Sequence, residues 1–111
     1  ALEDAGLQLE DIGVFELHEA FAAQILAVVR LLESDRLSRE ILGRDRALGA
    51  IPMNRLNRWG GSLAIGNPFA PNGARLLTTA AHRLVKEDQE FALVATCAGG
   101  ALGHGLVLER V

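Results

Sequence analysis

The 111-residue sequence has one cysteine, no tyrosine, one tryptophan and three prolines. A single cysteine cannot form a disulfide within the chain, so a reducing compartment is favoured and we expect a cytoplasmic location. No apolar run approaches the ~20 residues of a membrane-spanning helix, and there is no signal-peptide pattern. The net charge of −3 gives no basis for nucleic-acid binding. No His, Cys and carboxylate set has the spacing of a metal site.

Half of the residues are hydrophobic, which is enough for one small domain. Residues 1–111 are predicted to form an α/β unit, a mixed sheet with packed helices in the order β-α-β-α-β-β. A helix end at residues 1–5, stopped by Gly6, precedes this unit. The predicted strands are 12–17, 62–65, 91–96 and 103–109, and the predicted helices are 18–32 and 74–86. Strand 91–96 is apolar enough for burial on both faces, and 103–109 is its predicted hairpin partner.

The stretch from Gly60 to Gly73 is the centre of this prediction. It contains a short apolar segment, a turn at Gly66, and Asn67, which Pro68 keeps out of helical dihedrals. Such a loop is either a plain connector or a means of presenting the Asn67 carboxamide at a crevice. It has neither a dinucleotide-binding nor a phosphate-loop spacing.

Three polar side chains each follow a predicted strand: His18, Asn67 and Cys97. If those strands are parallel neighbours, the side chains share the carboxyl edge of the sheet, where α/β folds bind ligands. Gly99 follows Cys97, and its backbone N–H can approach a ligand closely. Each residue also has a structural interpretation, as a helix cap, a turn residue or a small hydrophobe. His104 is a weaker site candidate. His82 is interpreted as structural, and the alternating charges of 33–50 as a solvated face.

With these motifs assembled, the chain resembles the C-terminal domain of thiolases. The matching motifs are His18-Glu19-Ala20-Phe21-Ala22, the Gly60–Gly66 segment with Pro68 and Gly73, and Cys97-Ala98-Gly99-Gly100. The first motif is similar to the fatty-acid β-oxidation branch related to the trifunctional-enzyme β subunit. The implied fold is one half of an α-β-α-β-α layered pseudo-dimer. The resemblance places the N-terminal half and the first strand of the C-terminal domain before Ala1.

The resemblance implies 3-ketoacyl-CoA thiolysis, or Claisen condensation of acyl-CoA, through an acyl-enzyme. The nucleophilic cysteine would lie in the N-terminal half. The implied partners are acyl-CoA or CoA, that N-terminal half and a further copy of the chain in a homo-oligomer. No cofactor is implied, because the CoA thioester is the substrate. Cys97 matches the cysteine that moves a proton at the substrate α-carbon, Gly99 matches an oxyanion-hole N–H, and His18 matches the group that polarises the thioester oxygen.

Asn67 departs from the family pattern, because it replaces the histidine of a Gly-His-Pro motif that activates the nucleophile. A carboxamide cannot accept a proton near neutral pH. Pro71 and Asn72 also differ from the usual small residue followed by Thr or Ser. The chain is therefore interpreted first as part of an acyltransferase that is impaired by Asn67. The alternatives are a non-catalytic homologue that binds acyl-CoA or scaffolds a partner, and a decarboxylating ketoacyl synthase-like enzyme.

Overall fold

The computed structural model describes residues 1–111 and has the α/β architecture that the sequence predicts. The helices are α1 (Leu2–Ala5), α2 (Ala22–Glu33), α3 (Asp35–Leu42), α4 (Ser62–Ile65) and α5 (Asn72–Lys86), with a 3₁₀ turn at Leu9–Asp11. The strands are β1 (Val14–Leu17), β2 (Phe91–Ala98) and β3 (Leu102–Glu109). Helix α1 ends at Gly6 as predicted, since φ of 69° suits glycine. No helix has the length and apolarity to cross a membrane.

The three strands form one mixed sheet in the order β1-β2-β3. Strand β1 runs parallel to β2, and β2 pairs with β3 as the predicted antiparallel hairpin, with Thr96 opposite His104. The carboxyl ends of β1 and β2 therefore lie side by side. This places the residues that follow β1 next to the end of β2, as the sequence analysis required for His18 and Cys97.

Strand β1 is buried on both faces, and its successive side chains point in opposite directions. On one face Phe15 and Leu17 pack with Ile25 and Val29 of α2. On the other face Val14 packs with Leu76, Ala80 and Leu84 of α5, together with Ala92 and Val94 of β2. In β2 only Ala92 and Val94, on the α5 side, are buried, whereas Phe91 and Leu93 on the other face are half-buried, so the double-sided burial predicted for this strand is incomplete. Double-sided burial holds fully for β1.

The strand predicted over 62–65 is wrong, because these residues form the short helix α4. The backbone N–H groups of Ala64 and Ile65 both donate to the Gly61 carbonyl at 3.0 Å, and Gly66 donates to Ser62 at 3.0 Å. A four-residue apolar segment carries too little periodicity to separate a strand from a helix. Strand β1 pairs directly with β2 instead. The order β-α-β-α-β-β therefore loses its second strand.

The helix predicted to open at His18 begins at Ala22 instead. The His18 backbone N–H still belongs to the sheet, where it donates to the Ala95 carbonyl at 2.8 Å, and Phe21 is extended at the helix N-cap. Although almost every residue of this helix is apolar, most of its sides are not buried in this chain. Only Ile25 and Val29 are buried in α2, whereas Leu26 is 53% exposed. Helix α5 starts at Asn72, two residues before the predicted Ala74.

Candidate active site

A cavity of about 640 Å³ opens at the carboxyl ends of β1 and β2. Its lining includes His18, Asn67, Cys97 and Gly99, which are the residues singled out from the sequence, and also His104. The predicted convergence is therefore observed, but for a partly different reason. Asn67 reaches the cavity from the loop after helix α4, and not from the end of a third parallel strand. His82 lies outside the cavity, exposed on α5.

His18 lies at the inner side of this cavity and is only 7% exposed. Its Nδ1 atom lies 3.0 Å from the Ser62 hydroxyl, while Nε2 makes no hydrogen bond within the chain. Burial lowers the pKa of His18 below the usual 6.5, and the charge of Arg75 lowers it further, against a smaller opposing effect of Glu19. The imidazole is therefore neutral at pH 7 and can offer a single proton or a single lone pair at Nε2.

The Asn67 carboxamide is oriented by its own loop. Its Oδ1 atom accepts a hydrogen bond from the Phe69 backbone N–H at 3.1 Å and a second, very short one from Asn72 Nδ2. Its Nδ2 atom has no partner within the chain. Asn67 is thus an available hydrogen-bond donor in the cavity wall.

Cys97 and Gly99 form the opposite wall, near the end of β2 and in the turn that follows it. Cys97 is a free, half-buried thiol and pairs across the hairpin with Gly103. Gly99 is exposed, and a Cβ built on it would meet no atom within 4 Å. A ligand can therefore approach this backbone. No group of three or more His, Cys, Asp and Glu side chains is arranged to hold a metal ion.

Comparison with known proteins assigns this arrangement to a family. The family model described as "Thiolase, C-terminal domain" matches residues 1–110. The chain belongs to the thiolase C-terminal domain family. The family resemblance that the sequence motifs predicted is confirmed.

Relatives and solved structures of 3-ketoacyl-CoA thiolases are similar to this thiolase domain. A probable 3-ketoacyl-CoA thiolase of Caenorhabditis elegans is 48% identical over 97% of this chain and 24% of its own length. The mitochondrial trifunctional enzyme subunit beta of Bos taurus is 47% identical over 97% of this chain and 23% of its own. A 3-ketoacyl-CoA thiolase of Salmonella paratyphi B is 50% identical over 98% of this chain and 25% of its own length. Human mitochondrial 3-ketoacyl-CoA thiolase superposes with a TM-score of 0.77 at 28% identity, covering 100% of this chain and 24% of that one. The chain thus spans about a quarter of the length of these proteins.

The structure of this thiolase domain adds a half-buried polar residue, Arg75, beneath the cavity. Arg75 Nη2 donates to the Ser62 hydroxyl at 3.0 Å and to Asn72 Oδ1 at 3.3 Å. Arg75 therefore lies behind both His18, through Ser62, and Asn67, through Asn72. Only the altered loop at Pro71 and Asn72 marked this region in the sequence, and nothing in the sequence indicated Arg75.

A second polar cluster fastens the end of β1 to helix α4. The Asn57 carboxamide accepts from the Leu17 N–H at 2.8 Å and donates to the Leu17 carbonyl at 2.8 Å and to Glu19 Oε1 at 2.6 Å. Glu19 Oε2 in turn accepts from the Leu63 N–H at 3.0 Å. The backbone is thereby held at Leu17, which precedes His18, and at Leu63, which follows Ser62.

A buried ion network supports β1 from the other side. Arg83 and Glu16 are each 0% exposed and are joined at 2.7 Å, and Arg83 also contacts Glu87 at 2.9 Å. Burial raises the pKa of Glu16, although the hydrogen bond and charge of Arg83 act in the opposite direction. The Arg83 hydrogen bond lowers the pKa of Glu87. Burial alone would lower the pKa of Arg83, but its hydrogen bonds to Glu87 and Glu16 outweigh that effect.

Proposed function

We propose that this domain forms the C-terminal side of the active site of an acyl-CoA acyltransferase that acts on 3-ketoacyl-CoA thioesters. The observation that carries the proposal is the single cavity lined by Cys97, His18, Asn67 and Gly99. A free thiol, a neutral imidazole, a carboxamide donor and an open backbone N–H are the groups needed to bind a thioester oxygen and to move a proton beside it.

Each group has a definite role in this proposal. Cys97 carries the proton to and from the substrate α-carbon, and Gly99 donates its N–H to the oxygen that becomes negative. The Ser62 hydroxyl lies closer to His18 Nδ1, at 3.0 Å, than to Asn72 Oδ1, at 3.5 Å. We infer from the shorter contact that Ser62 gives its single proton to Nδ1 and not to Asn72 Oδ1, so that His18 carries its own proton on Nε2 and donates it to the thioester oxygen.

Asn67 limits the rate in this proposal. A nucleophilic cysteine with a pKa of ~8.5 is only a few per cent thiolate near pH 7. Asn67 cannot remove the thiol proton, and loss of a general base costs about 100- to 10,000-fold in rate. We therefore expect slow thiolysis that rises with pH as the thiolate forms unaided.

The cavity rim supports the proposed protein partners. Phe21, Phe69 and Leu102 line the cavity and are 73%, 83% and 66% exposed. Apolar surface of this kind is typical of an interface, and the N-terminal half implied by the family is the partner that would complete the substrate site. Assembly into a homo-oligomer and a cytoplasmic location remain predictions.

The test is a thiolysis and binding assay on the natural polypeptide that carries these residues. We expect it to bind acetoacetyl-CoA and to cleave it slowly with CoA, faster at pH 8.5 than at pH 7. Cys97→Ala should abolish turnover while leaving binding within about twofold. A polypeptide that neither binds nor cleaves acetoacetyl-CoA, or a Cys97→Ala variant with unchanged turnover, contradicts the proposal.

A second candidate function is a non-catalytic acyl-CoA-binding homologue. The replacement of a titratable histidine by Asn67 favours it, because the cavity then presents donors but no strong base. The same assay separates the two functions: tight binding with no turnover at any pH favours the binding protein. Release of CO₂ from malonyl-CoA would instead favour the decarboxylating ketoacyl synthase-like enzyme.

A further inference from the structure

Two of the three residues that depart from the family pattern, Asn67 and Asn72, contact each other. Asn72 is only 3% exposed, and its Nδ2 group donates both to Asn67 Oδ1 and to the Phe69 carbonyl, the latter at 3.0 Å. Its Oδ1 atom accepts from Arg75 Nη2 at 3.3 Å. The Asn72 carboxamide is therefore bonded at both ends.

Groups of fixed polarity determine how both carboxamides are turned. A guanidinium can only donate, so Arg75 requires the oxygen of Asn72 to face it. A carbonyl can only accept, so Phe69 requires the nitrogen of Asn72 on the loop side. The Phe69 N–H and the Asn72 nitrogen both donate, so the oxygen of Asn67 must face them. Only the Asn67 Nδ2 group is left for a ligand.

We propose that Asn72 is a positioning residue that locks Asn67 as a hydrogen-bond donor, so that the two asparagines act as one unit in the cavity wall. The inference rests on the proposed function, in that the ligand is the carbonyl oxygen of an acyl-CoA thioester. The unit supplies a donor that does not titrate between pH 5 and 9, in place of a residue that exchanges protons.

The unit also determines what a histidine at position 67 would do. An imidazole that accepts a hydrogen bond from Asn72 carries its single proton on the other ring nitrogen. That nitrogen would face the cavity as a donor and could not take a proton from a thiol. Asn67→His by itself therefore restores no general base while Asn72 is present.

An isosteric change at Asn72 reverses this polarity. In Asn72→Asp the carboxylate has no N–H to donate, and Arg75 lies within reach to compensate its charge. The carboxylate repels Asn67 Oδ1 and favours the flipped amide. In that orientation Asn67 no longer presents an N–H donor to the ligand. In the double variant with Asn67→His, the same carboxylate accepts a hydrogen bond from the ring nitrogen that carries the proton. The other ring nitrogen is then left unprotonated and basic, as in the histidine–carboxylate pairs of hydrolases.

The experiment compares the natural polypeptide with Asn67→His, Asn72→Asp and the double variant. Asn54→Asp is the matched control, since it makes the same charge change at an exposed asparagine outside the cavity. Asn72→Asp should weaken acetoacetyl-CoA binding at least about tenfold, because the flipped Asn67 would present its carbonyl oxygen to the ligand in place of its N–H donor. Asn54→Asp should leave this binding unchanged. Near pH 7 the double variant should cleave acetoacetyl-CoA at least about tenfold faster than Asn67→His, the lower end of a general-base contribution.

A second readout needs no substrate. ¹⁵N NMR of the introduced imidazole should show opposite tautomers in Asn67→His and in the double variant. The same tautomer in both, an Asn67→His rate equal to that of the double variant, or unchanged binding in Asn72→Asp would overturn the inference. If the natural polypeptide does not bind acetoacetyl-CoA at all, the proposed function fails, and the tautomers still decide whether Asn72 controls position 67.

Discussion

Arg83→Met should destabilise the domain by about 3–5 kcal/mol, because it leaves Glu16 buried without its partner. Both side chains are 0% exposed. Arg83 donates to Glu16 at 2.7 Å, and Glu16 Oε2 already lacks a hydrogen bond. Methionine occupies a similar length of the core, so most of the cost comes from the stranded carboxylate.

The other bonds of Arg83 contribute less to this figure. The Phe15 carbonyl, which accepts from Arg83 at 3.2 Å, also accepts from the Asn57 N–H at 2.9 Å. The Arg55 carbonyl accepts from Arg83 at 2.9 Å and from the Phe15 N–H at 3.4 Å. Each keeps one partner when the guanidinium is removed, so neither adds the full penalty of an unsatisfied group.

The destabilisation should shrink in acid. Without Arg83 the pKa of folded Glu16 rises further above its unfolded value, so the folded state binds the extra proton. Between these two pKa values stability then increases as pH falls, by up to about 1.4 kcal/mol per pH unit. Urea denaturation of the natural polypeptide and the variant from pH 8 to pH 5 measures both the loss of unfolding free energy and its dependence on pH.

Two further variants test the cause. Glu16→Gln combined with Arg83→Met removes the buried charge and should recover most of the lost stability. Arg58→Met should change stability by less than about 0.5 kcal/mol, since Arg58 is exposed and lies 3.7 Å from Glu87. A loss below about 1 kcal/mol in Arg83→Met, or one independent of pH, would refute the reasoning.

Two shorter predictions concern the N-cap of α4 and His18. Gly61→Ala should cost about 1–3 kcal/mol in thermal denaturation, because its Cβ would displace the Glu19 carboxylate from its hydrogen bonds with Asn57 and the Leu63 N–H. Gly73→Ala, in open space on α5, should be neutral or stabilising by up to about 1 kcal/mol, and equal losses in both variants would contradict the steric account. The lowered folded pKa of His18 provides stability above the unfolded pKa of ~6.5 that is lost as pH falls through the folded value. His18→Gln should therefore show a shallower acid loss in urea titrations between pH 7.5 and 5, and an unchanged slope would exclude His18 as its source.

The regular elements with strong local patterns were predictable from the sequence. Strand β1 and the β2–β3 hairpin follow from continuous apolar runs, and the end of α1 follows from the glycine that stops it. The candidate site was also predictable in outline, because His18 follows β1 and Cys97 lies near the end of β2, and these strands do lie side by side. The convergence of Asn67 was predicted, but its route through helix α4 was not.

Tertiary structure decided what local pattern could not encode. The four small or apolar residues at 62–65 suit a strand or a helix, and the choice depends on β2 occupying the place beside β1. The partners of buried polar groups lie far apart in the chain: Glu16 and Arg83 are 67 residues apart, and His18 and Ser62 are 44 apart. Periodicity records which face of an element is buried, but not which distant group satisfies a buried charge. The direction in which Asn67 presents its amide is therefore a property of the folded loop, where Phe69 and Asn72 meet its oxygen.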